Sequence, residues 1–183
     1  SRVAGGAVAG AFLETLGIRV MAGTVELGGI AAGSVDLAGA GDRPFFAADG
    51  GVVAAWEERV REVAGQGDTL GGIVEIRATG VPTGLGEPVF DKLDARLAAA
   101  LMSVGAVKGV EIGAGFAAAR MLGSLNNDAM SASGFASNNA GGILAGISSG
   151  QEIVVRAAVK PIPSIAQEQR TVDRFGAERT LRV

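Results

Sequence analysis

The sequence predicts an α+β fold in which helices pack on antiparallel or mixed β-sheets. Apolar residues recur at helical spacing in some segments and at alternate positions in others. The two kinds of segment alternate along the chain, but without the short regular connections of βαβ units. At 183 residues and 48% hydrophobic content, the chain can bury a core without disulfides. The sequence therefore predicts one domain over residues 1–183.

The first predicted helix covers residues 2–16. Val8, Phe12 and Leu16 recur at intervals of four residues, which predicts a buried apolar stripe. Gly17 directly follows and is suited to end the helix.

Two further segments have the periodicity of amphipathic helices. In 52–64, apolar positions face away from a charged side, and Trp56 among them indicates a core or interface anchor rather than a ligand contact. Residues 89–102 follow Pro88, which suits a first helical turn. The apolar side of this third helix is predicted to contain Phe90, Leu93, Leu97 and Leu101.

Five segments read as β-strands because β-branched and apolar residues alternate between turn-forming residues. Pro161 and Pro163 end the last of them, since proline cannot donate a ladder hydrogen bond. The polar residues 165–183 are predicted to form an extended tail. The predicted strands are 18–30, 70–79, 106–112, 141–148 and 152–160.

Three similar triplets recur in the predicted strands. They mark equivalent strands of a duplicated unit, or they are simply a sequence that suits half-buried strands. The triplets are Val25-Glu26-Leu27, Val74-Glu75-Ile76 and Val110-Glu111-Ile112.

Composition excludes several classes of function. The chain has no His, Cys or Tyr, so imidazole bases, thiolate nucleophiles and Cys or His metal sites are excluded. The net charge of −3 argues against nucleic-acid binding. Because no apolar run reaches the length of a membrane span and no signal peptide is visible, we expect a cytoplasmic protein without metal or membrane partners.

Two glycine-rich segments have chemistry that suits a ligand. The loop 80–88 either holds an anion with its backbone N–H groups at a helix start or is a structural turn. The segment 138–150 combines glycines with Asn side chains, which suits the wall of a flat ligand or close packing of a strand. The polar run 126–128 either caps a turn or lines a site.

A third candidate segment places a lysine and a hydroxyl in a loop restricted by prolines. Lys160 follows the last strand, and Ser164 lies four residues further on. A lysine and a hydroxyl can hold a phosphate by charge and by O–H donation. The alternative is a lysine that is simply solvated at the end of a strand.

Four collinear stretches resemble the chorismate synthase family. Residues 2–8 contain Arg-Val-Ala and Gly-Ala-Val, residues 80–97 read GVPTGLGEPVFDKLDARL, and residues 102–116 read MSVGAVKGVEIGAGF. The fourth stretch, 134–164, begins GFASNNAGGILAGISSGQ and ends VVRAAVKPIPS. The resemblance runs in order over essentially the whole chain.

This resemblance implies an enzyme of the shikimate pathway. The family converts 5-enolpyruvylshikimate 3-phosphate to chorismate and phosphate, by a 1,4-anti elimination that needs reduced FMN without net redox change. It further implies helices sandwiched between antiparallel sheets and a homotetramer, or a homodimer. NADPH is implied only as a source of reduction.

The resemblance also implies a set of flavin contacts. They lie in the Ser-Val-Gly-Ala-Val-Lys-Gly segment, at a strand position where the family usually has Gly, and in the Lys-Pro loop. Asn139 begins the wall that we expect to face the isoalloxazine ring, together with the loop at Lys160. The residues are Gly105, Ala106, Asn139, Ala145, Lys160, Pro161, Ile162, Pro163 and Ser164.

Motifs that the family carries near its two ends are absent from these 183 residues. They include the histidine-bearing motifs and arginines that bind the substrate's anionic groups. We therefore expect the chain to be a central segment of the enzyme. The alternative to an active synthase is a catalytically incompetent core that binds flavin or mediates oligomerisation.

Overall fold

A computed structural model, describing residues 1–182, contains a five-stranded antiparallel sheet and four α-helices. Its strands are β1 (Arg19–Leu27), β2 (Ile30–Ala31), β3 (Gly72–Thr79), β4 (Val107–Ile112) and β9 (Ile153–Val159). Across the sheet they lie in the order β2-β1-β3-β9-β4. The helices are α1 (Arg2–Thr15), α2 (Val53–Gly65), α3 (Leu93–Met102) and the single turn α4 (Gly123–Asn126).

Three two-stranded hairpins complete the fold. They pair β5 (Met130–Ser131) with β6 (Gly134–Phe135), β7 (Ile143–Leu144) with β8 (Ile147–Ser148), and β10 (Gln169–Val172) with β11 (Glu178–Leu181). Every strand pair of the described residues is antiparallel. The predicted α+β class is therefore confirmed, and its antiparallel form is the one that occurs.

The core lies between the sheet and α3. Val155 and Ile153 of β9 are buried together with Ile18, Val81 and Ile143. Every fourth residue of α3 packs on this cluster, and each buried aliphatic side chain contributes roughly 1.5–3 kcal/mol. These helix residues are Leu93, Leu97 and Leu101.

The recurring triplets all lie in strands of this sheet. Glu75 of β3 and Glu111 of β4 are both paired with Arg156 of the intervening strand β9. Successive residues of a strand point to opposite faces, so the glutamates lie on the face opposite the helical core. The shared position beside Arg156 accounts for the glutamates of the second and third triplets. Glu26 of the first triplet lies past a β-bulge in β1.

Helix α1 has the predicted range but not the predicted burial. Val8, Phe12 and Leu16 are 74%, 62% and 58% exposed, so the predicted buried stripe is wrong. Only Leu13 of α1 packs against the core. Gly17 ends the helix as predicted: its φ is 77°, and Ile18 N donates to Leu13 O at 3.0 Å, which closes a Schellman motif.

Helix α2 confirms its prediction to within one residue at each end. Trp56 is fully buried, its Nε1 donates to Ile30 O at 2.9 Å, and its ring contacts Phe45 edge-on. The core interpretation of Trp56 is therefore confirmed.

Helix α3 begins four residues later than predicted. Residues 87–91 instead form a separate turn, in which Glu87 and Asp91 exchange two backbone hydrogen bonds of 2.9 Å. Phe90 lies in this turn and is 93% exposed, so its predicted place on the apolar side of the helix is wrong. Periodicity could not separate the turn from the helix because Phe90 and Leu93 share a helical spacing.

Two predicted strands are hairpins. The segment 18–30 reverses after Leu27 to pair with the short strand β2, and 141–148 reverses between β7 and β8. The predicted tail 165–183 also differs, because β10 and β11 pair over residues 169–181. In the first two cases, two strands joined by a tight turn have the composition of one longer strand.

Candidate functional site

The predicted site residues fall into two groups at opposite ends of β9. Lys160 follows the strand's last residue, whereas Asn139 and Ala145 lie beyond its first residue, where Val154 N donates to Gly141 O at 3.2 Å. Seven strand residues span about 20 Å. The structure therefore does not bring the segment 139–146 and the Lys160 loop together within one chain, contrary to the expected single wall.

At the carboxyl end of β9, the structure does bring Lys160 beside Ala106. Lys160 N donates to Ala106 O at 2.9 Å, directly beyond the paired residues Val107 and Val159. Ala106 holds a left-handed φ of 71°, and a Cβ added at Gly105 would meet no atom within 4 Å. The backbone here is fixed, and the space above Gly105 is open.

Residues 105–106 and 160–164 form a region that we call the Lys160 corner. The side chains of this corner are accessible to a ligand. Lys160, Pro161, Pro163 and Ser164 are exposed, and Ile162 is 60% exposed. Within residues 1–182, the Lys160 ammonium group takes part in none of the ion pairs or side-chain hydrogen bonds. An uncompensated cation on the same short loop as an exposed hydroxyl can hold a phosphate or another anion.

The loop that carries these side chains has a defined backbone. Ile165 N donates to Pro163 O at 3.0 Å, and Ala166 N donates to Gly67 O at 2.9 Å. Thr69 Oγ1 donates to Ile162 O at 2.7 Å. Pro161 and Pro163 restrict φ, so the Lys160 side chain extends from a loop with little backbone freedom.

At the amino end of β9, Asp128 organises the loop that contains Asn139. Its carboxylate accepts hydrogen bonds from Ser137 Oγ at 2.6 Å, from Asn139 N at 2.7 Å and from Ala140 N at 2.8 Å. Burial raises the pKa of Asp128, but these hydrogen bonds outweigh it and hold that pKa below its ordinary value of 3.8. The run 126–128 thus supports a turn through an ionised aspartate.

Ala145 occupies the turn between β7 and β8. Its φ is 51°, and it is exposed. Gly146 O accepts a hydrogen bond from Leu93 N at 2.8 Å, which attaches this hairpin to the start of α3. Glycine reaches positive φ without the steric penalty of a Cβ, so a glycine would fit this turn position with less strain than Ala145.

The glycines beside Asn139 allow two backbones to touch. A Cβ on Gly113 would overlap Asn139 O and Gly141 N, and a Cβ on Gly141 would lie 2.6 Å from Gly113 Cα. Gly113 N donates to Val154 O at 2.9 Å, and Ala114 N donates to Asn139 O at 2.7 Å. The segment 138–150 was predicted to form a ligand wall or to pack closely on a neighbour. Close packing occurs where Gly141 meets Gly113.

The loop 80–88 is structural. Ser148, only 1% exposed, accepts from Leu85 N at 2.9 Å and donates to Pro82 O at 2.6 Å through its hydroxyl. Gly84 N donates to Ser148 O at 3.0 Å. Because these amides already have partners and α3 begins only at Leu93, the loop does not present a row of free N–H groups to an anion.

Sequence reasoning missed two residues that organise the site region. Ser148 and Thr69 each bridge segments more than 60 residues apart in the sequence. A serine or threonine in a loop has no periodicity to mark it, so local patterns carry no sign of either contact. The prolines of the Lys160 loop give one indirect sign, since a loop with few N–H donors depends on donors from elsewhere.

Other features lie apart from both ends of β9. A cavity of about 180 Å³ borders Phe116 and Arg156 on the open face of the sheet. A shallow depression of about 720 Å³ lies on the β10–β11 hairpin. Within residues 1–182 there is no cluster of three or more acidic, His or Cys side chains that could hold a metal, and no helix is long and apolar enough to cross a membrane.

The fold and this corner define an α+β protein with an exposed lysine-proline loop at the end of a central antiparallel strand. A family model described as chorismate synthase matches residues 1–183. The chain therefore belongs to the chorismate synthase family. A solved structure described as the crystal structure of chorismate synthase superposes with a TM-score of 0.84 at 37% identity, covering 89% of this chain and 55% of that one.

Two curated relatives show the same likeness at higher identity. The chorismate synthase of Oleidesulfovibrio alaskensis is 71% identical over 183 residues, which are all of this chain and 52% of that protein. The chorismate synthase of Nitratidesulfovibrio vulgaris Hildenborough is 70% identical over 181 residues, which are 99% of this chain and 51% of that protein. The chain thus spans about half the length of these curated relatives.

Proposed function

We propose that this chain contributes to the chorismate synthase reaction, the conversion of 5-enolpyruvylshikimate 3-phosphate to chorismate and phosphate. The observation that carries the proposal is the corner at Lys160. There, in a chain of this family, an exposed ammonium group with no ion pair among residues 1–182 stands on a loop whose backbone is hydrogen-bonded to Ala106 and Thr69.

The residues at this corner fit an anionic flavin cofactor. Lys160 supplies a positive charge, Ser164 supplies an exposed hydroxyl, and open space lies above Gly105. We propose that these groups, with Ala106 and the loop residues Pro161, Ile162 and Pro163, hold FMN. Ile162 contributes an apolar surface, since a ring can rest on an exposed aliphatic side chain.

Asn139 and Ala145 have a different place in the proposal. They lie about 20 Å along β9 from Lys160, so they contact a flavin at the Lys160 corner only if a second copy supplies them. A homodimer or homotetramer, as the family likeness implies, would provide such a copy. Light scattering at micromolar concentration tests this assembly, and a strict monomer would contradict it.

The elimination removes a proton and a phosphate from opposite faces of the substrate ring and forms a new double bond, without net redox change. Reduced FMN, when bound, supplies electron density as the phosphate leaves, and NADPH is a possible source of its reduction. Lys160 and Ser164 bind and orient the cofactor by charge and hydrogen bonding. The fixed loop backbone keeps both groups in place without reorganisation.

Two observations favour a second candidate, a core that binds flavin or mediates assembly without catalysis. The chain contains no histidine, and its helix α1 exposes Val8, Phe12 and Leu16. An apolar surface of this kind suits contact with other protein rather than with water. In this alternative the Lys160 corner still binds FMN, but no phosphate is released.

The test combines the protein with 5-enolpyruvylshikimate 3-phosphate and anaerobically reduced FMN, and measures released phosphate. Release above a protein-free control supports the synthase reaction. FMN binding without release contradicts catalysis by this chain and supports the second candidate. Absence of FMN binding contradicts both. We further propose a cytoplasmic location, which fractionation of the source cells would test.

A further inference from the structure

We propose that Thr69 is a positioning residue for the Lys160 loop, acting through the hydrogen bond from its hydroxyl to Ile162 O. This inference rests on the proposed function, because it concerns the loop assigned to the cofactor. Thr69 lies between α2 and β3, 93 residues from Ile162 in the sequence. Among the described residues, its side chain hydrogen-bonds to Ile162 O and not to Lys160 or Ser164, so its effect is indirect.

The loop depends on contacts from outside because it has few backbone N–H donors of its own. Pro161 and Pro163 have no N–H group, so two of the five residues 160–164 cannot donate backbone hydrogen bonds. The backbone is instead held at its two ends, by Lys160 N to Ala106 O and by Ala166 N to Gly67 O. Between these anchors, Thr69 Oγ1 donates to Ile162 O at 2.7 Å, and Gln169 Nε2 makes a longer hydrogen bond of 3.2 Å to Pro163 O.

The segment containing Thr69 is shaped to receive the loop. A Cβ on Gly71 would lie 2.6 Å from Val159 O and 2.9 Å from Pro161 Cδ, so only glycine allows the two chains to approach. Gln167 Nε2 donates to Gln66 O at 2.8 Å just beyond the loop. Residues 66–71 therefore contact the loop at its start, middle and end. Thr69 makes the contact at the middle.

The position of the Ile162 carbonyl in the loop indicates what its hydrogen bond with Thr69 does. The Ile162 carbonyl lies midway between Lys160 and Ser164, so fixing it limits rotation of the peptide groups that carry both side chains. A cation and a hydroxyl held at a constant separation bind an anion with less loss of conformational entropy than two mobile groups. Loss of the Thr69 hydroxyl should therefore weaken anion binding without removing any group that contacts the ligand.

The test compares Thr69→Val, which keeps the shape and removes the hydroxyl, with Thr69→Ser, which retains the hydroxyl. Thr15→Val is the matched control, because Thr15 Oγ1 also donates to a carbonyl, Phe12 O, at 2.7 Å but lies in α1. The probes are FMN and riboflavin, which lacks the phosphate, titrated by flavin fluorescence. Amide hydrogen exchange over residues 160–167 reports the loop itself.

We expect Thr69→Val to weaken FMN binding about five- to tenfold, the scale of one hydrogen bond, and to speed exchange at Ile165 and Ala166. Thr69→Ser should bind FMN within about twofold of the unchanged protein, and Thr15→Val should leave binding unchanged. Equal binding by Thr69→Val, or an equal loss in Thr15→Val, overturns the inference. If the unchanged protein binds no FMN, the proposed cofactor site fails instead, and unaltered exchange in Thr69→Val overturns the positioning role separately.

Discussion

The two ends of strand β9 are built in contrasting ways. At the Asn139 end, backbone packs directly on backbone, and Asp128 and Ser148 satisfy buried N–H groups with their side chains. At the Lys160 end, a few hydrogen bonds fix the loop while its side chains remain exposed, and the ammonium group has no ion pair in the described part of the chain. Groups that are already paired stabilise the fold, whereas only unpaired groups are available to a ligand. Substitutions at the Asn139 end should therefore change stability, and those at the Lys160 end should change binding.

The largest expected effect is that of Gly113→Ala. The new Cβ would overlap Asn139 O and Gly141 N in a residue with positive φ, so we expect the free energy of unfolding to fall by roughly 3–5 kcal/mol. Urea unfolding, or the yield of folded protein, measures this. Gly105→Ala is the matched control with open space around it and should change stability by less than about 0.5 kcal/mol. Similar losses in both variants would remove the contrast between the two ends.

Ser148→Ala should have the next largest effect. Its hydroxyl is buried and bridges Leu85 N and Pro82 O, so its removal leaves both groups without that partner. We expect a loss of about 2–3 kcal/mol in the free energy of unfolding, measured by urea unfolding. The exposed Ser124, changed to alanine, should be neutral. A neutral Ser148→Ala would show that the loop 80–88 is held by its remaining contacts.

Asp128→Asn tests the charge that stabilises the same end. We expect a loss of about 1–2 kcal/mol at pH 7, because the amide accepts fewer of the three hydrogen bonds. The folded-state pKa lies below the unfolded value of about 3.9. The carboxylate's contribution is therefore complete above pH 4 and is lost as the pH falls through the folded-state pKa. Unfolding measured from pH 7 down to 3 should show the two proteins converging, and a constant difference would exclude this origin.

Lys160→Ala should have the smallest effect on stability, because the side chain is exposed and pairs with no acidic group of the described residues. Its effect should appear in FMN binding, with a loss of about 1–3 kcal/mol or roughly 5- to 150-fold, measured by titration. Lys160→Arg keeps the charge and should lose less. Arg19→Ala, which removes an exposed cation at the other end of the sheet, is the control. Unchanged affinity in Lys160→Ala would remove this residue from the proposed site.

The sequence predicted the local elements more reliably than their surroundings. Strands β3, β4 and β9 and helix α2 agree with the predicted ranges to within a few residues, because alternation and helical spacing depend on near neighbours. The range of α1 was also predicted, but the burial of Val8 and Phe12 was wrong. An apolar stripe shows that a helix can be covered, while the covering layer is a property of the tertiary or quaternary structure.

The candidate site illustrates the same limit. Lys160, Ser164 and the two prolines could be selected from the sequence, because a cation and a hydroxyl in a proline-restricted loop are a local pattern. Their contact with Ala106 depends on the pairing of β4 with β9, and that with Thr69 on the pairing of β3 with β9. The separation of Asn139 from Lys160 likewise follows from the direction of one strand, which spacing along the chain does not determine.

The β10–β11 hairpin offers a practical attachment point. Its tip, Asp173–Gly176, is closed by its own hydrogen bonds, including Gly176 N to Asp173 O at 3.0 Å, and lies outside the five-stranded sheet. Exposed tips of this kind tolerate insertions. A fluorophore or affinity peptide placed between Arg174 and Phe175 would thus report on the molecule while leaving every backbone contact of the Lys160 loop unchanged.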